Sequence, residues 1–441
     1  MNVTLFGPEL YYLGLALVFF CLSLRGTPRV KTDYRIALVL AGVGMLLTAC
    51  CLFQHGYLFY KAYRVDLFSQ IFKFALALGL FLVLTISHDL AHIEERQQAE
   101  FYLFLTTTII GMMLLVSAVE LLTIYVALEL SSYSLYILVP LRRGDGIDVE
   151  AGIKYLFIGA VSSGFMLFGL SYIFGATGTT YLAELAPKLT QLTQSPIGLI
   201  GLLLAMCGFF FKLSVFPFHF WAPDVYQGAA NQVTAFIATA SKVAAVALLL
   251  RFAALGAGYG YGFTKALMIL SIASMTLGNL VAIIQKDFKR MLAYSSIAHA
   301  GYLLVALVSA SQLGAVSLLY YLLAYTLMNL GAFGVVILVG RKKDSYLNIY
   351  DYSGLGFQHP ALGAAMALFM FALAGIPPTA GFVGKFYIFS AAIKAGYIWL
   401  AIIGVMNSLV SVYYYLRITV LMYMKPAEAD LGPVSFSPAQ T

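Results

Sequence analysis

The chain has 441 residues, of which 61% are hydrophobic and only 10% charged, and its mean hydropathy is +0.90. This composition excludes a soluble globular protein, because hydrophobic runs long enough to cross a ~30 Å hydrocarbon core recur from end to end. The net charge of +7 fits basic loops on one side of a membrane better than nucleic-acid binding. The sequence therefore predicts an all-α polytopic membrane protein that lies in the lipid bilayer and binds no nucleic acid.

Thirteen hydrophobic spans are predicted along the chain. They cover 8–24, 34–53, 66–87, 100–117, 119–140, 150–174, 196–221, 230–254, 263–284, 289–309, 313–340, 360–394 and 397–424. One set of alternate loops holds most of the basic residues, namely Arg25, Arg29, Lys31, Arg35, Arg96, Arg142, Arg143, Lys286, Lys289, Arg290, Arg341, Lys342, Lys343 and Lys425. The other set holds Lys61, Arg64, Lys188, Arg251, Lys265 and Lys394. Because cytoplasmic loops carry the excess of Lys and Arg, the N-terminus is predicted to lie outside.

Isolated charges inside the spans are candidates for function. Glu129 lies about ten residues into the fifth span and Lys242 about twelve residues into the eighth. At ~1.5 Å per residue, both are near the middle of the membrane. Lys154 begins its span, whereas Lys73 is only a turn or two inside and is expected to extend to the interface. Glu120, in the connection before the fifth span, is expected to be hydrated.

The seventh span places a lysine inside the membrane and then breaks the helix. Lys212 follows a long apolar run, and Pro217 comes five residues later. An unpaired charge in hydrocarbon costs at least ~2.5–3.5 kcal/mol, and proline frees carbonyls that need other partners. Since broken backbone is tolerated in a membrane only beside a cavity, the stretch predicts a polar cavity. A lysine that reaches the interface from a kinked helix is the alternative.

The twelfth span repeats this pattern. Its helix is predicted to break at Pro377 and Pro378, with Lys385 beyond the break. Because the two broken spans are five apart, an odd number, two five-helix repeats would have opposite orientations, as in inverted-repeat transporters. The predicted organisation is an N-terminal three-helix segment at 1–98, repeats at 99–256 and 257–424, and a polar tail at 425–441. Two unrelated kinks remain the alternative.

The sequence has few residues of the types that bind metals or redox cofactors. His299 is the one histidine clearly inside a span, where it serves either as a proton relay or as a hydrogen-bond donor in the core. The cysteines are scattered singly or as one adjacent pair in apolar runs, without the spacing of a cluster site. They are Cys21, Cys50, Cys51 and Cys207. The sequence predicts no metal site and no cofactor-binding site in this chain.

Four stretches together resemble the antiporter-like subunits of respiratory complex I, NADH:quinone oxidoreductase. They read FKLSVFPFHFWAPDVYQGA, LELSSYSLYIL, KRMLAYSSIAHAGY and GIPPTAGFVGKFYIF, and the resemblance covers about residues 66 to 424. The PDVYQGA motif, the lysine in the second broken helix and three extra N-terminal helices are similar to the bacterial subunit N branch. That branch typically has fourteen spans, whereas thirteen are visible here before the polar tail.

The resemblance implies roles for individual residues. Glu129 would be the acid paired with Lys212, and Lys242 the central relay. Lys385 would be the terminal proton residue and Lys154 an auxiliary one. A change in the position of Glu129 relative to Lys212 would alter proton occupancy. Switching a site from mostly protonated to mostly empty takes roughly 5 kcal/mol of differential interaction.

The resemblance also implies a setting. The chain would be a proton-translocating subunit of a bacterial inner (plasma) membrane complex, driven by quinone reduction elsewhere. NADH, FMN, iron–sulfur clusters and quinone would bind other subunits. The partners would be a neighbouring antiporter-like subunit and small membrane subunits. Two alternatives share these modules or this setting: a subunit of a cation/proton antiporter or membrane-bound hydrogenase, and a purely structural membrane-arm subunit.

Overall fold

The computed structural model describes residues 3–25, 27–90, 92–142, 147–255, 261–340 and 348–427. Arg143, the basic residues 341–343, the predicted repeat boundary at 256/257 and most of the predicted tail lie outside this part. The α-helices in it are α1 Gly7–Ser23, α2 Val30–Cys50, α3 Leu67–Ile86, α4 Gln98–Ser117, α5 Leu121–Leu138, α6 Ile147–Thr177, α7 Leu182–Gln194, α8 Pro196–Ala205, α9 Cys207–Leu213, α10 Trp221–Gly228, α11 Asn231–Leu255, α12 Tyr261–Ile284, α13 Phe288–Val308, α14 Gln312–Gly340, α15 Leu355–Gln358, α16 Pro360–Ala374, α17 Ala380–Lys394 and α18 Ile398–Met424.

The helices match the predicted spans. Within the described residues, eleven helices are long and apolar enough to cross a membrane, and α8 with α9 makes a twelfth span bent by 43°. The predicted span 360–394 consists of the shorter helices α16 and α17. The all-α polytopic fold class is therefore confirmed.

Two of the spans are interrupted where their prolines lie. The seventh ends its helix at Leu213, and α10 starts only at Trp221. The twelfth stops at Ala374 and resumes at Ala380. Both gaps contain a cis X–Pro bond.

The chain forms two compact units. One comprises Met1–Lys212 and Gly228–Phe263, and the other comprises Leu213–Gln227 and Thr264–Thr441. The inverted relation of the two five-helix segments stays a prediction.

In the first unit α4 is the central helix, since it packs against α1, α3 and α5. The approach of α4 to α5 is close at Gly111, where an added Cβ would lie 2.6 Å from the backbone nitrogen of Ser131. Glycine is therefore required there for the two helices to touch. This contact fixes the position of the polar face of α5.

A short β-hairpin joins the second and third spans, which the hydropathy pattern does not predict. Strands β1 Gly56–Leu58 and β2 Tyr63–Val65 are antiparallel, and Gly56 pairs with Val65. The turn holds three consecutive non-glycine residues, Phe59–Lys61, at positive φ. Tyr63 also bridges to Ala118. That bridge sets the start of α3 beside the start of α5.

Acidic side chains cap both of these helices. Asp66 accepts the backbone N–H of Ser69 at the start of α3. Glu120 accepts the N–H and the hydroxyl of Thr123, both at 2.7 Å, and is only 8% exposed. The expectation that Glu120 is simply hydrated is wrong, because its carboxylate is the N-cap of α5. Burial alone raises the pKa of Glu120, but these hydrogen bonds outweigh it and hold the pKa below its ordinary value.

In the second unit α13 is the central helix, packed against α14, α17 and α18. Its buried polar residues and those of α18 form the polar interior of this unit. Trp221, the first residue of α10, is also buried. An amphipathic helix, α7, which the sequence analysis missed, lies between the sixth and seventh spans in the first unit.

Candidate functional site

Glu129 and Lys212 are both buried in the first unit, 8% and 2% exposed. Lys212 donates to the hydroxyl of Ser131 at 3.1 Å, and Ser163 donates a short hydrogen bond to Glu129. Their hydrogen bonds thus go to serines, while the Glu129 carboxylate acts on the Lys212 ammonium through space. The structure brings the predicted acid and base into one site, lined by α5, α6 and α9.

The serines suit this arrangement. The Ser131 hydroxyl donates to the carbonyl of Leu128 at 2.8 Å, so its oxygen is free to accept from Lys212. Ser131 follows Glu129 by two residues on α5, and Ser163 belongs to the facing helix α6. A hydroxyl both donates and accepts, so each serine can pass a proton as well as hold a charge. The sequence analysis assigned no role to these serines, although the stretch LELSS places several polar residues in an otherwise apolar helix.

Lys242 and Lys154 have different surroundings. Lys242 lies in α11 and is 1% exposed, and the residues of this helix from Asn231 to Phe252 are all buried. Lys154 has a side chain that is 42% exposed and pairs with Glu150 one turn earlier, at 2.6 Å. Lys242 is therefore a buried cation, whereas Lys154 is a helix-surface ion pair.

Lys385 lies beyond the second break and bonds to the end of the helix before it. Its ammonium donates to the carbonyls of Leu373 and Ala374 at 3.1 and 2.8 Å, and to the hydroxyl of Ser408 at 3.0 Å. Gly375 has φ +81°, and a Cβ there would lie 2.9 Å from the Lys385 side chain. Glycine both ends α16 and makes room for the lysine. The cation thus satisfies carbonyls that the break leaves free.

His299 lies at the centre of a tyrosine cluster in the second unit. Its Nδ1 is 2.5 Å from the Tyr321 hydroxyl and its Nε2 is 3.1 Å from the Tyr415 hydroxyl. The ring also contacts Tyr302 and Tyr325. Both ring nitrogens therefore have hydroxyl partners, an arrangement that suits either a relay or a fixed core donor.

A chain of amide and hydroxyl groups adjoins this cluster. Asn279 donates to Tyr302 at 3.1 Å and accepts from Tyr414 at 3.0 Å. The Lys385 ammonium lies 5.0 Å from the centre of the Tyr302 ring. The sequence analysis missed these residues. The signal that marks them is a polar stripe at helical spacing, such as Ser295, His299 and Tyr302 on α13.

The described residues contain no group of three or more His, Cys, Asp and Glu side chains arranged to hold a metal ion. The buried lysines Lys212 and Lys385 instead have hydroxyl, carbonyl or carboxylate neighbours. Such groups hold and transfer protons. The chemistry that this arrangement supports is proton transfer.

Comparison with known families gives a match to the model for NADH:quinone oxidoreductase/Mrp antiporter transmembrane proteins over residues 118–411. The chain belongs to this family. The NADH:quinone oxidoreductase/Mrp antiporter match includes Glu129, Lys212, Lys242, His299 and Lys385.

Relatives within the NADH:quinone oxidoreductase/Mrp antiporter family cover nearly the whole chain. It is 46% identical to NADH-quinone oxidoreductase subunit N 2 of Syntrophobacter fumaroxidans over 99% of this chain and 93% of the relative. A chain of respiratory complex I from Thermus thermophilus superposes with a TM-score of 0.80 at 33% identity, covering 99% of this chain and 92% of that one. A chain of the Mrp complex from Dietzia sp. has the same fold, with a TM-score of 0.80 at 19% identity over 100% and 84% of the two chains.

Proposed function

We propose that this chain is subunit N of a bacterial NADH:quinone oxidoreductase and translocates protons without a redox centre of its own. The similarity to subunit N over almost the full length supports the assembly. The site in the first unit supports the chemistry, because it places a buried acid near a buried lysine, with hydroxyls bonded to both. Electron transfer from NADH to quinone in other subunits would supply the energy.

The observation that carries the proposal is that Glu129 and Lys212 are both buried in one site and that each of them bonds to a serine hydroxyl. A direct ion pair would hold both charges firmly, whereas hydroxyl partners allow the acid to approach or retreat. Since the Glu129 charge acts on Lys212, a small displacement of either residue changes the proton occupancy of the lysine. Lys242 and Lys385 would then hold protons in turn, and His299 would relay them among the tyrosine hydroxyls.

The test uses the assembled complex in membrane vesicles, with quinone reductase rate and proton uptake measured together. We expect Lys212→Ala and Glu129→Ala each to suppress coupled turnover by about a hundredfold, the lower range for loss of a proton-transfer group. Lys212→Arg should fail as well, because a guanidinium keeps its proton. Lys394→Ala, an exposed lysine in α17, is the control and should pump normally.

Normal proton uptake by Lys212→Ala would show that the lysine is no carrier and would favour the structural membrane-arm alternative. Purification of the chain with sodium/proton antiporter subunits, in place of quinone reductase subunits, would favour the antiporter alternative. Either result replaces the proposal.

We further propose that the N-terminus lies outside and that the chain contacts an antiporter-like subunit and small membrane subunits. The distribution of basic residues in alternate loops supports the orientation. A cysteine introduced next to Lys31 should react with a membrane-impermeant maleimide only from the cytoplasmic side, whereas one next to Lys61 should react only from outside. Cross-linking in the purified complex identifies the neighbours.

A further inference from the structure

The N-terminal segment contains a buried ion pair that the lysines described above do not include. Glu9 in α1 and Lys73 in α3 are joined at 2.8 Å, and both side chains are fully buried. The expectation that Lys73 extends to the interface is therefore wrong. The Tyr63 hydroxyl, from strand β2, donates to the same Glu9 oxygen at 2.6 Å.

An ion pair of this kind is an inefficient way to hold two helices together. Taking two charges out of water costs several kcal/mol per ion, and apolar residues of similar volume often stabilise a fold as well or better. The hydrogen-bonding capacity of the pair is also not fully used. Within the described residues, the second carboxylate oxygen of Glu9 has no hydrogen-bond partner. This oxygen lies beside a buried ammonium and can accept a proton.

The pair lies at about the depth of Glu129. The bridge between Tyr63 and Ala118 sets the starts of α3 and α5 side by side. Lys73 is the seventh residue of α3 and Glu129 the ninth of α5, so they lie roughly 9 and 12 Å below those starts. The intervening helix α4 packs against α1, α3 and α5. The Glu9–Lys73 pair is thus one helix away from the acid of the proposed proton site, at a similar level.

A cavity opens near the start of α3, at the same end of the unit as Asp66. It has a volume of about 630 Å³, and its lining includes Lys61, Arg64, Asp66 and Arg251. Asp66, the N-cap of α3, and Lys73 are seven residues apart, so they lie on one face about two turns and 10 Å apart along the helix axis. The charged side chains in this otherwise largely apolar lining can bind water. The lining includes neither Glu9 nor Lys73, and its nearest residue on this face, Asp66, is two helical turns from the buried lysine.

We propose that Glu9 and Lys73 form a second proton-exchanging pair, which takes up protons from the end of the unit where the cavity beside Asp66 and Arg251 opens. A proton carried by water forms an O–H bond at the second carboxylate oxygen of Glu9. Lys73 gives one N–H proton to a water molecule in the same cycle, and a later transfer from Glu9 to Lys73 restores the ion pair. One proton enters and one leaves, and no other reactant is needed. This inference rests on the proposed function of the chain in proton translocation.

A double substitution separates this role from a structural one. Glu9→Gln with Lys73→Met removes both charges, keeps the side-chain volumes and leaves an acceptor for Tyr63. The complex should assemble, and proton uptake per quinone reduced should fall by about tenfold or more. A matched control is Arg25→Gln with Asp33→Asn, another ion pair of this segment, at 3.9 Å and partly exposed. It should leave uptake unchanged.

The unaltered complex provides a second measurement that does not depend on folding of a variant. A hydrophobic carbodiimide adds to protonated carboxyl groups in membranes, so mass spectrometry should find Glu9 modified during turnover. Parental proton uptake by an assembled double variant would overturn the inference, as would an unmodified Glu9 under conditions that label Glu129. Lys212→Ala tests the proposed function separately. Loss of uptake there with parental uptake in the double variant would overturn this inference alone.

Discussion

The two broken spans each carry one buried lysine, but the groups that accept hydrogen bonds from the two lysines differ. Lys212 precedes its break and bonds to a side chain, the hydroxyl of Ser131, in a site that also holds the acid Glu129. Lys385 follows its break and bonds to the carbonyls at the end of α16. The same sequence pattern, a lysine near proline in an apolar helix, has therefore produced two different environments.

The difference shows which lysine the fold depends on. The acceptors of Lys385 are backbone groups that the broken helix cannot satisfy by itself, so its charge supports the break directly. Removal of the Lys212 side chain leaves no backbone group without its partner, and Glu129 keeps its hydrogen bond from Ser163. Loss of Lys385 should accordingly impair folding and transport, whereas loss of Lys212 should impair mainly transport.

The largest expected effect on stability is that of Lys385→Met. It leaves two buried carbonyls without their donor, at ~1–3 kcal/mol each. The amount of assembled complex and its melting temperature should both fall. Lys394→Met, in the exposed last turn of the same helix, is the control and should change neither. Parental stability of Lys385→Met would remove the distinction between the two lysines.

The next effect concerns the coupling of Glu129 and Lys212. In a double-mutant cycle with Glu129→Gln and Lys212→Met, the coupling energy for turnover should be about 1–3 kcal/mol, because each residue acts through the charge of the other. The measurement is coupled quinone reductase rate in vesicles for the parent, both single variants and the double variant. Additive effects would mean that the two residues act independently.

A smaller effect is expected for the serine that bonds to Lys212. Ser131→Ala removes one hydrogen bond to a charged group, worth ~1.5–3 kcal/mol at most, and should slow turnover about tenfold. Ser132→Ala is the matched control, since Ser132 is equally buried and donates to the same carbonyl of Leu128 without contacting Lys212. Equal rates for the two variants would contradict the role of Ser131.

The smallest expected effect concerns the stability that one ionised side chain contributes at a helix end outside the membrane. Burial raises the pKa of Asp66, but hydrogen bonds and the charge of Arg251 outweigh this and lower the pKa below its ordinary value. The ionised form therefore stabilises the fold at neutral pH, and this contribution is lost as pH falls through the lowered pKa. Asp66→Asn should reduce stability by about 1–2 kcal/mol at pH 7.

The same substitution predicts a pH dependence. The difference in melting temperature between the parent and Asp66→Asn should persist down to the ordinary range of aspartate pKa and vanish only below it. A difference that is already absent at neutral pH would show that the Arg251 contact contributes no stability.

The sequence predicted the features that local chemistry determines. Runs of apolar residues located the spans, and Pro217 and Pro377 located the breaks, because proline cannot donate within a helix. The depth of Glu129 in the membrane stays a prediction. So do the roles assigned to the candidate proton-transfer residues, which are Glu129, Lys212, Lys242, Lys385, Lys154 and His299.

Features that depend on tertiary contacts were missed. Glu9 lies in the first turn of α1, where an acid is ordinary, and only the fold brings Lys73 to it. The acceptors of Lys385 are backbone carbonyls, which carry no sequence signal. The hairpin was overlooked because its strands have three residues each, too few for a period-two pattern.

The position of Trp221 allows the first helix break to be followed by tryptophan fluorescence. The chain has two tryptophans: Trp221 is 1% exposed and opens α10 directly after the break, whereas Trp399 is 76% exposed. Replacing Trp399 by phenylalanine would leave a single indole in the isolated subunit, with its ring centre 6.5 Å from that of Tyr226. Its emission wavelength would report the polarity beside the interrupted helix, and its lifetime would record hydration of that segment as it changes.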